Sequence, residues 1–140
     1  MASAWLLLIT TAPILWIPLG GLLYAAGSLI CHQLSDRSFH LQGSQLPVCA
    51  RCFGLYAGGA LGSIAGAAAF VRRALGRLRI PAMHLNWIAT VAAAMPTLVT
   101  FSIEWGLGWP VSNTVRAVAA LPLGAVVAFV VVSALPTLHS

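Results

Sequence analysis

The sequence predicts an all-α polytopic membrane protein, a four-transmembrane-helix bundle with an extracytoplasmic Cys/His loop. Three observations predict it. Apolar residues make up 60% of the 140-residue chain and charged residues 6%, with a mean hydropathy of +0.95; a soluble domain carries roughly 25% charged residues. Four apolar runs, at about residues 5–30, 53–71, 81–104 and 114–135, each come near the roughly 20 residues that cross a hydrocarbon layer. The ionisable groups gather in the connections between the runs, where water and head groups can solvate them. One membrane domain over residues 1–140 is expected. The formal charge is +5, with every basic residue an arginine. Four of the seven arginines, Arg72, Arg73, Arg77 and Arg79, share one short connection. That is the usual cytoplasmic edge of a membrane protein, so no nucleic-acid partner is expected.

The first run has no basic segment before it and is 26 residues long, beyond the about 7–15 of a cleaved signal's apolar region. It reads as a retained spanning helix, although Ala25-Ala26-Gly27 has the small residues of a cleavage site. Pro13, Pro18 and Gly20-Gly21 predict a kink, because proline removes a backbone donor and clashes with the preceding turn. The Cys/His loop, residues 31–52, follows. In the second helix, 53–71, Gly54, Gly58, Gly62 and Gly66 recur every four residues. They therefore form one stripe that lets another backbone approach closely. This stripe is a packing face, and one through which the chain can join a homo-oligomer or a larger membrane complex. The Arg-rich loop, 72–80, is placed in the cytoplasm by the positive-inside rule. The third helix, 81–104, opens on Pro81, is kinked at Pro96, carries His84 near its cytoplasmic end and has Glu104 at the other. Trp105, Gly106, Gly108, Trp109 and Pro110 make a turn with interfacial aromatic anchors. Ser112 or Asn113 caps the fourth helix, 114–135, with Arg116 in its first turn and Pro122 within; His139 lies in the tail.

The chemistry concentrates in residues 31–66, which hold all three cysteines. Cys49-Ala50-Arg51-Cys52 is a C-x-x-C turn whose two thiolates can reach one tetrahedral ion, with Gly54 suited to a tight knuckle. Cys31 and His32, brought back by the loop, complete a three-cysteine, one-histidine metal site, most naturally for zinc. The same C-x-x-C spacing serves a redox dithiol, so a Cys49–Cys52 disulfide with Cys31 free is the alternative.

Cys31-His32-Gln33, Arg37-Ser38-Phe39, Gly43, Cys49-Ala50-Arg51-Cys52, Gly54, Tyr56 and Gly58, in that order, resemble the pattern of a widespread family of short prokaryotic membrane proteins classed as a domain of unknown function. A second block, Glu104 through Asn113 and Arg116, is similar to the family's later acidic-glycine and N-x-x-R pattern. Within it Trp105 separates Glu104 from Gly106, and Ala119-Ala120 stand where a threonine and a glycine are expected. The resemblance implies the cell membrane of a prokaryote and brings no established activity.

Four spans with the arginine loop inside put both termini in the cytoplasm and gather His32, Asp36, Arg37, His40, the cysteines, Glu104, Asn113 and Arg116 in one extracytoplasmic layer. Glu104 and Arg116 are expected to pair. Arg37, Arg51 and Arg116 form an anion pocket, since guanidinium forks match phosphate and carboxylate, with Gln33, Ser38 and Asn113 as polar support. Glu104 is the candidate base or counter-ion. The first functional reading is a metal centre that organises this pocket for an anionic lipid head group or small molecule. If His32 is not a ligand, the open position makes the protein a candidate metal-dependent hydrolase or transferase. The second is a membrane thiol–disulfide oxidoreductase working through Cys49 and Cys52, and the third a non-enzymatic subunit or metal handler.

Overall fold

A computed structural model of the chain describes residues 2–15, 17–74 and 84–134. In chain order the elements are helices α1 (Ala2–Thr11) and α2 (Ile17–Ser28), strands β1 (Ser38–Leu41) and β2 (Ser44–Cys49), and helices α3 (Ala50–Ala74), α4 (His84–Gly106) and α5 (Asn113–Ala134). Residues 75–80 of the Arg-rich loop, Pro81 and His139 lie outside the described residues, and Arg72, Arg73 and His84 are described only as helical backbone.

Among the described residues three helices, not four, are long and apolar enough to cross a membrane, over Ala50–Ala69, Trp87–Gly106 and Asn113–Ser133. The difference lies in the first apolar run, expected to be one kinked span. It is divided into a 10-residue and a 12-residue helix joined through a 3-10 turn at Ala12–Ile14. The physical reason is the pair of prolines. Pro13 opens the short turn and Pro18 opens α2, so neither can donate a hydrogen bond back across residues 12–18. Each half falls well short of the roughly 20 residues a span needs. The halves take different neighbours. α1 packs on α3, with Trp5 edge-to-face on Tyr56 at 6.2 Å. α2 ends against β2, where the Tyr24 hydroxyl donates to the Gln45 carbonyl and Gly27 touches the Pro47 backbone so closely that a methyl would not fit.

The Cys/His loop is a β-hairpin and not irregular coil, which corrects the all-α expectation. β1 and β2 pair antiparallel, with Ser38 opposite Cys49 and Leu41 opposite Ser44. The connecting residues Gln42 and Gly43 have φ of +51° and +81°, the left-handed pair that a tight two-residue hairpin turn requires.

α3 and α5 run parallel. Gly54 meets Ala117, Gly58 meets Leu121, Gly62 meets Ala125, and Gly66 meets Phe129 and Val132. An added methyl at the first three would fall on the facing carbonyl oxygens, and one at Gly124 of α5 would fall on that of Leu55. The stripe is thus filled by α5 of the same chain. Gly58→Ala should gain about 1 kcal/mol of helix propensity. It should lose more, because overpacking costs about 1–3 kcal/mol where side chains can yield and here the obstacle is backbone. The expected result is a lower melting temperature in detergent. Gly21→Ala, with nothing within 4 Å of the added carbon, is the control and should melt at or above wild type. α4 packs on α5, where Thr97 donates to the Ala119 carbonyl at 2.8 Å, and makes little contact with α3.

Candidate metal centre

The junction of β2 and α3 places two of the sulfurs. Cys49 ends the strand and Ala50 begins the helix, so Cys52 follows within the first turn and both thiols meet at the helix N-terminus. Cys31 comes from the turn that leaves α2, pinned by its N–H to the Gly27 carbonyl at 2.9 Å. Its sulfur accepts the Cys49 N–H at 3.1 Å, and it is buried with Ile9 and Val48, against which Phe53 and Tyr56 pack. The three sulfur atoms all lie within 4.8 Å of one another. In a tetrahedral zinc site, with Zn–S near 2.3 Å, sulfurs stand about 3.8 Å apart, so the cluster needs to contract by at most about 1 Å. All three cysteines are free thiols.

His32 is not among the converging groups. It is exposed, and the set of ligand atoms within mutual reach contains the three sulfurs alone. The reason lies in its neighbours. Cys31 is buried, and Gln33, at φ +49°, turns its amide inward to donate to the carbonyls of Tyr24 and Pro47 at 2.8 and 2.7 Å. His32 between them stays exposed and lines the cavity beside the sulfurs without joining their cluster. The four-ligand set expected from the sequence becomes a three-sulfur set with its fourth side open.

The Cys49 thiol is pulled down to about 5. Its hydrogen bond with the Cys52 thiol is the largest cause, burial opposes it, and the backbone N–H groups of Cys52 and Arg51 and the Cys31 thiol add to it. Those N–H groups are the unsatisfied donors of a helix start, which favour an anion there. A thiolate is the form that binds a metal.

Beside the sulfurs lies a buried ion triad. Glu104, at the end of α4, accepts from Arg51 in the first turn of α3 and from Arg116 in the first turn of α5, the latter through Nε at 2.5 Å. Their side chains are 5%, 17% and 8% exposed, too low for water to stabilise any one of them alone. The expected Glu104–Arg116 pair is present, and Arg51 joins it. Glu104 is therefore the counter-ion of two guanidiniums, a poor position for a base. Asn113 accepts from Arg116 Nη1 at 2.6 Å and donates to the Ser38 carbonyl at 3.0 Å, tying α5 to the hairpin. Ser38, fully buried, donates to the Leu34 carbonyl at 2.8 Å. Arg37 sits 3.7 Å from Asp36, while His40 is exposed beside Ser35.

A cavity of about 480 Å³ joins these parts. All three cysteines line it, as do Arg37, Arg51 and Arg116. Its apolar lining includes Ile30, Phe101 and Trp105, with the Arg51 guanidinium 5.5 Å from the Phe101 ring centre. Phe101 and Trp105 are the site residues that sequence reasoning missed. Their only signal was an i, i+4 aromatic pair flanking Glu104.

No solved structure matches the chain. An uncharacterized protein, MJ1492, of Methanocaldococcus jannaschii is 57% identical over 42 residues, which are 30% of this chain and 27% of that protein. The match thus spans about a quarter of that relative's length. The family model for a predicted membrane protein, DUF2085, matches residues 31–130, which contain the hairpin, all three sulfurs, the ion triad, two of the candidate spans and most of the third. With that match over most of its length, the chain belongs to the DUF2085 family of membrane proteins.

Proposed function

We propose that Cys31, Cys49 and Cys52 hold a metal ion, zinc being the natural choice for three thiolates. The fourth coordination position then faces a cavity whose arginines take an anionic ligand, a lipid head group or a small molecule. The observation that carries this reading is that three sulfurs within 4.8 Å of one another and three guanidiniums line a single cavity. Three protein ligands leave a position for substrate or water, the arrangement of reactive rather than closed zinc sites. We place this layer on the extracytoplasmic side, since the arginine-rich connection follows α3 at its other end and belongs in the cytoplasm.

Cobalt titration of the reduced, metal-free chain in detergent tests the reading. A thiolate-to-cobalt charge-transfer band should grow to a plateau at one equivalent, be displaced by zinc, and change shape when inorganic phosphate is added. A titration without that band rejects the metal. A band that phosphate leaves unmoved separates the metal from the anion pocket. A second reading, thiol–disulfide exchange through Cys49 and Cys52, is favoured by the lowered pKa of Cys49 and its hydrogen bond to Cys52. It requires a mass lower by two hydrogen atoms in the oxidised chain and no plateau with cobalt.

A further inference from the structure

Resting on the reading that the arginine-lined cavity binds an anion, though not on the metal, we infer that the ligand is an anionic phospholipid. It enters sideways between α3 and α4 with its chains still in the bilayer.

Four observations converge on this. The apolar lining of the cavity belongs to a membrane-spanning helix, since Phe101 and Trp105 fall within the Trp87–Gly106 span. They stack on each other at 5.7 Å and are both exposed. With exposed Leu98 they occupy one stripe of α4, at i, i+3 and i+7. The cavity therefore opens on its α4 side to the lipid-facing surface, and an acyl chain can lie along that stripe while its head reaches the arginines. Second, the seam is open to such a ligand. α3 and α5 leave no space for a methyl group, whereas α4 leans on α5 and hardly touches α3 below the ion triad.

Third, the charge at the cavity is net positive. Arg37, Arg51 and Arg116 line it, and Glu104 and Asp36 answer only two of the three, neither acid being among its described lining residues. Fourth, the Arg51 Nε is buried without a hydrogen-bond partner, and the Arg37 Nε has only a long 3.7 Å contact to the Asp36 carboxylate. A buried N–H donor is normally satisfied, so the Arg51 donor in the cavity lining calls for an acceptor from outside the chain. Phosphate oxygens match the guanidinium fork.

The experiment is native mass spectrometry of the full chain in detergent, titrated with phosphatidylglycerol, phosphatidylcholine or glycerol phosphate. One phosphatidylglycerol per chain should be retained, at least about tenfold more tightly than phosphatidylcholine, as a charge-assisted hydrogen bond implies. Glycerol phosphate should not displace it at equal concentration. Arg37→Gln, outside the ion triad, should reduce phosphatidylglycerol retention about tenfold and leave phosphatidylcholine unchanged. Leu98→Gln, remote from every charge, keeps the test usable if the arginine variant does not fold, and should weaken the lipid alone. Equal retention of both lipids means an ordinary annular contact and overturns the inference. Displacement by glycerol phosphate also overturns it but leaves a soluble-anion pocket standing. Failure of all three ligands overturns the pocket too, while the cobalt titration decides the metal independently.

Discussion

Cys49→Ser should empty the metal site. Purified with its metal retained, the wild-type chain is expected to carry about one ion per chain, and the variant less than about a tenth of that, by elemental analysis. The size of the effect follows from the ligand count. Structural zinc sites in small domains bind with about 10–16 kcal/mol, so one of three protein ligands is worth about 3–5 kcal/mol, or a factor of about 200–5000. Cys49 is the most damaging of the three to lose. It is the thiol whose pKa is lowered, and its backbone N–H holds the Cys31 sulfur at 3.1 Å. Serine keeps the size and the backbone contacts, so the loss reports coordination and not misfolding. His32→Ala is the companion measurement. Exposed and outside the sulfur cluster, His32 should be dispensable, with metal content within about twofold of wild type. Equal metal in wild type and Cys49→Ser ends the metal reading, whereas loss in His32→Ala would restore the four-ligand site that the sequence predicts.

Why the sulfurs were legible and the histidine was not is a matter of range. Cys49 and Cys52 are three residues apart, and any helix start brings them together. Cys31 sits next to the end of an apolar run, and a hairpin returns the chain to it. The direction of His32 depends instead on Gln33, whose amide is captured by carbonyls of Tyr24 and Pro47, contacts that no local pattern announces. The glycine stripe was legible for the same local reason, because a repeat of four is a property of the helix itself; its occupant, α5, was not. Pro13 and Pro18 signalled a disturbance, but whether prolines kink a helix or end it depends on what the two halves pack against. Here β2 offers α2 a place to end, and the span is lost. The hairpin had a signal, Gln42-Gly43 between two short β-capable runs, which Pro47 and the cysteines obscured. Arg51 was expected in the anion pocket for its guanidinium fork, and its pairing with an acid was not legible. Its partner Glu104 lies 53 residues away, at a distance where only the assembled bundle decides.

Glu104→Ala should destabilise the bundle more than any other single charge removal, by about 3–5 kcal/mol, because it leaves two buried guanidiniums without a counter-ion. For a domain of this size that corresponds to a melting temperature lower by roughly 10–20 °C. The effect should fall on α4 in particular. α4 has little contact with α3, and the Arg51–Glu104 pair is a polar link between them. Hydrogen exchange at the end of α4 should therefore rise more than in the α3–α5 pair. Glu104→Gln should be intermediate, since it keeps an acceptor oxygen and loses the charge. Adding Arg116→Met to Glu104→Ala should recover part of the loss, because one of the two stranded charges is then gone and an apolar side chain of similar length fills the space. Metal content separates this structural role from a chemical one. The sulfurs hang on β2, α3 and the turn after α2, which Glu104 meets only through the Arg51 side chain, while the Cys31 sulfur is held by the Cys49 backbone, so the folded Glu104→Ala chain should still bind about one ion. A variant that melts like wild type would mean that Glu104 is not the clamp its two guanidinium partners make it, and its carboxylate would then have to be sought in the chemistry of the cavity.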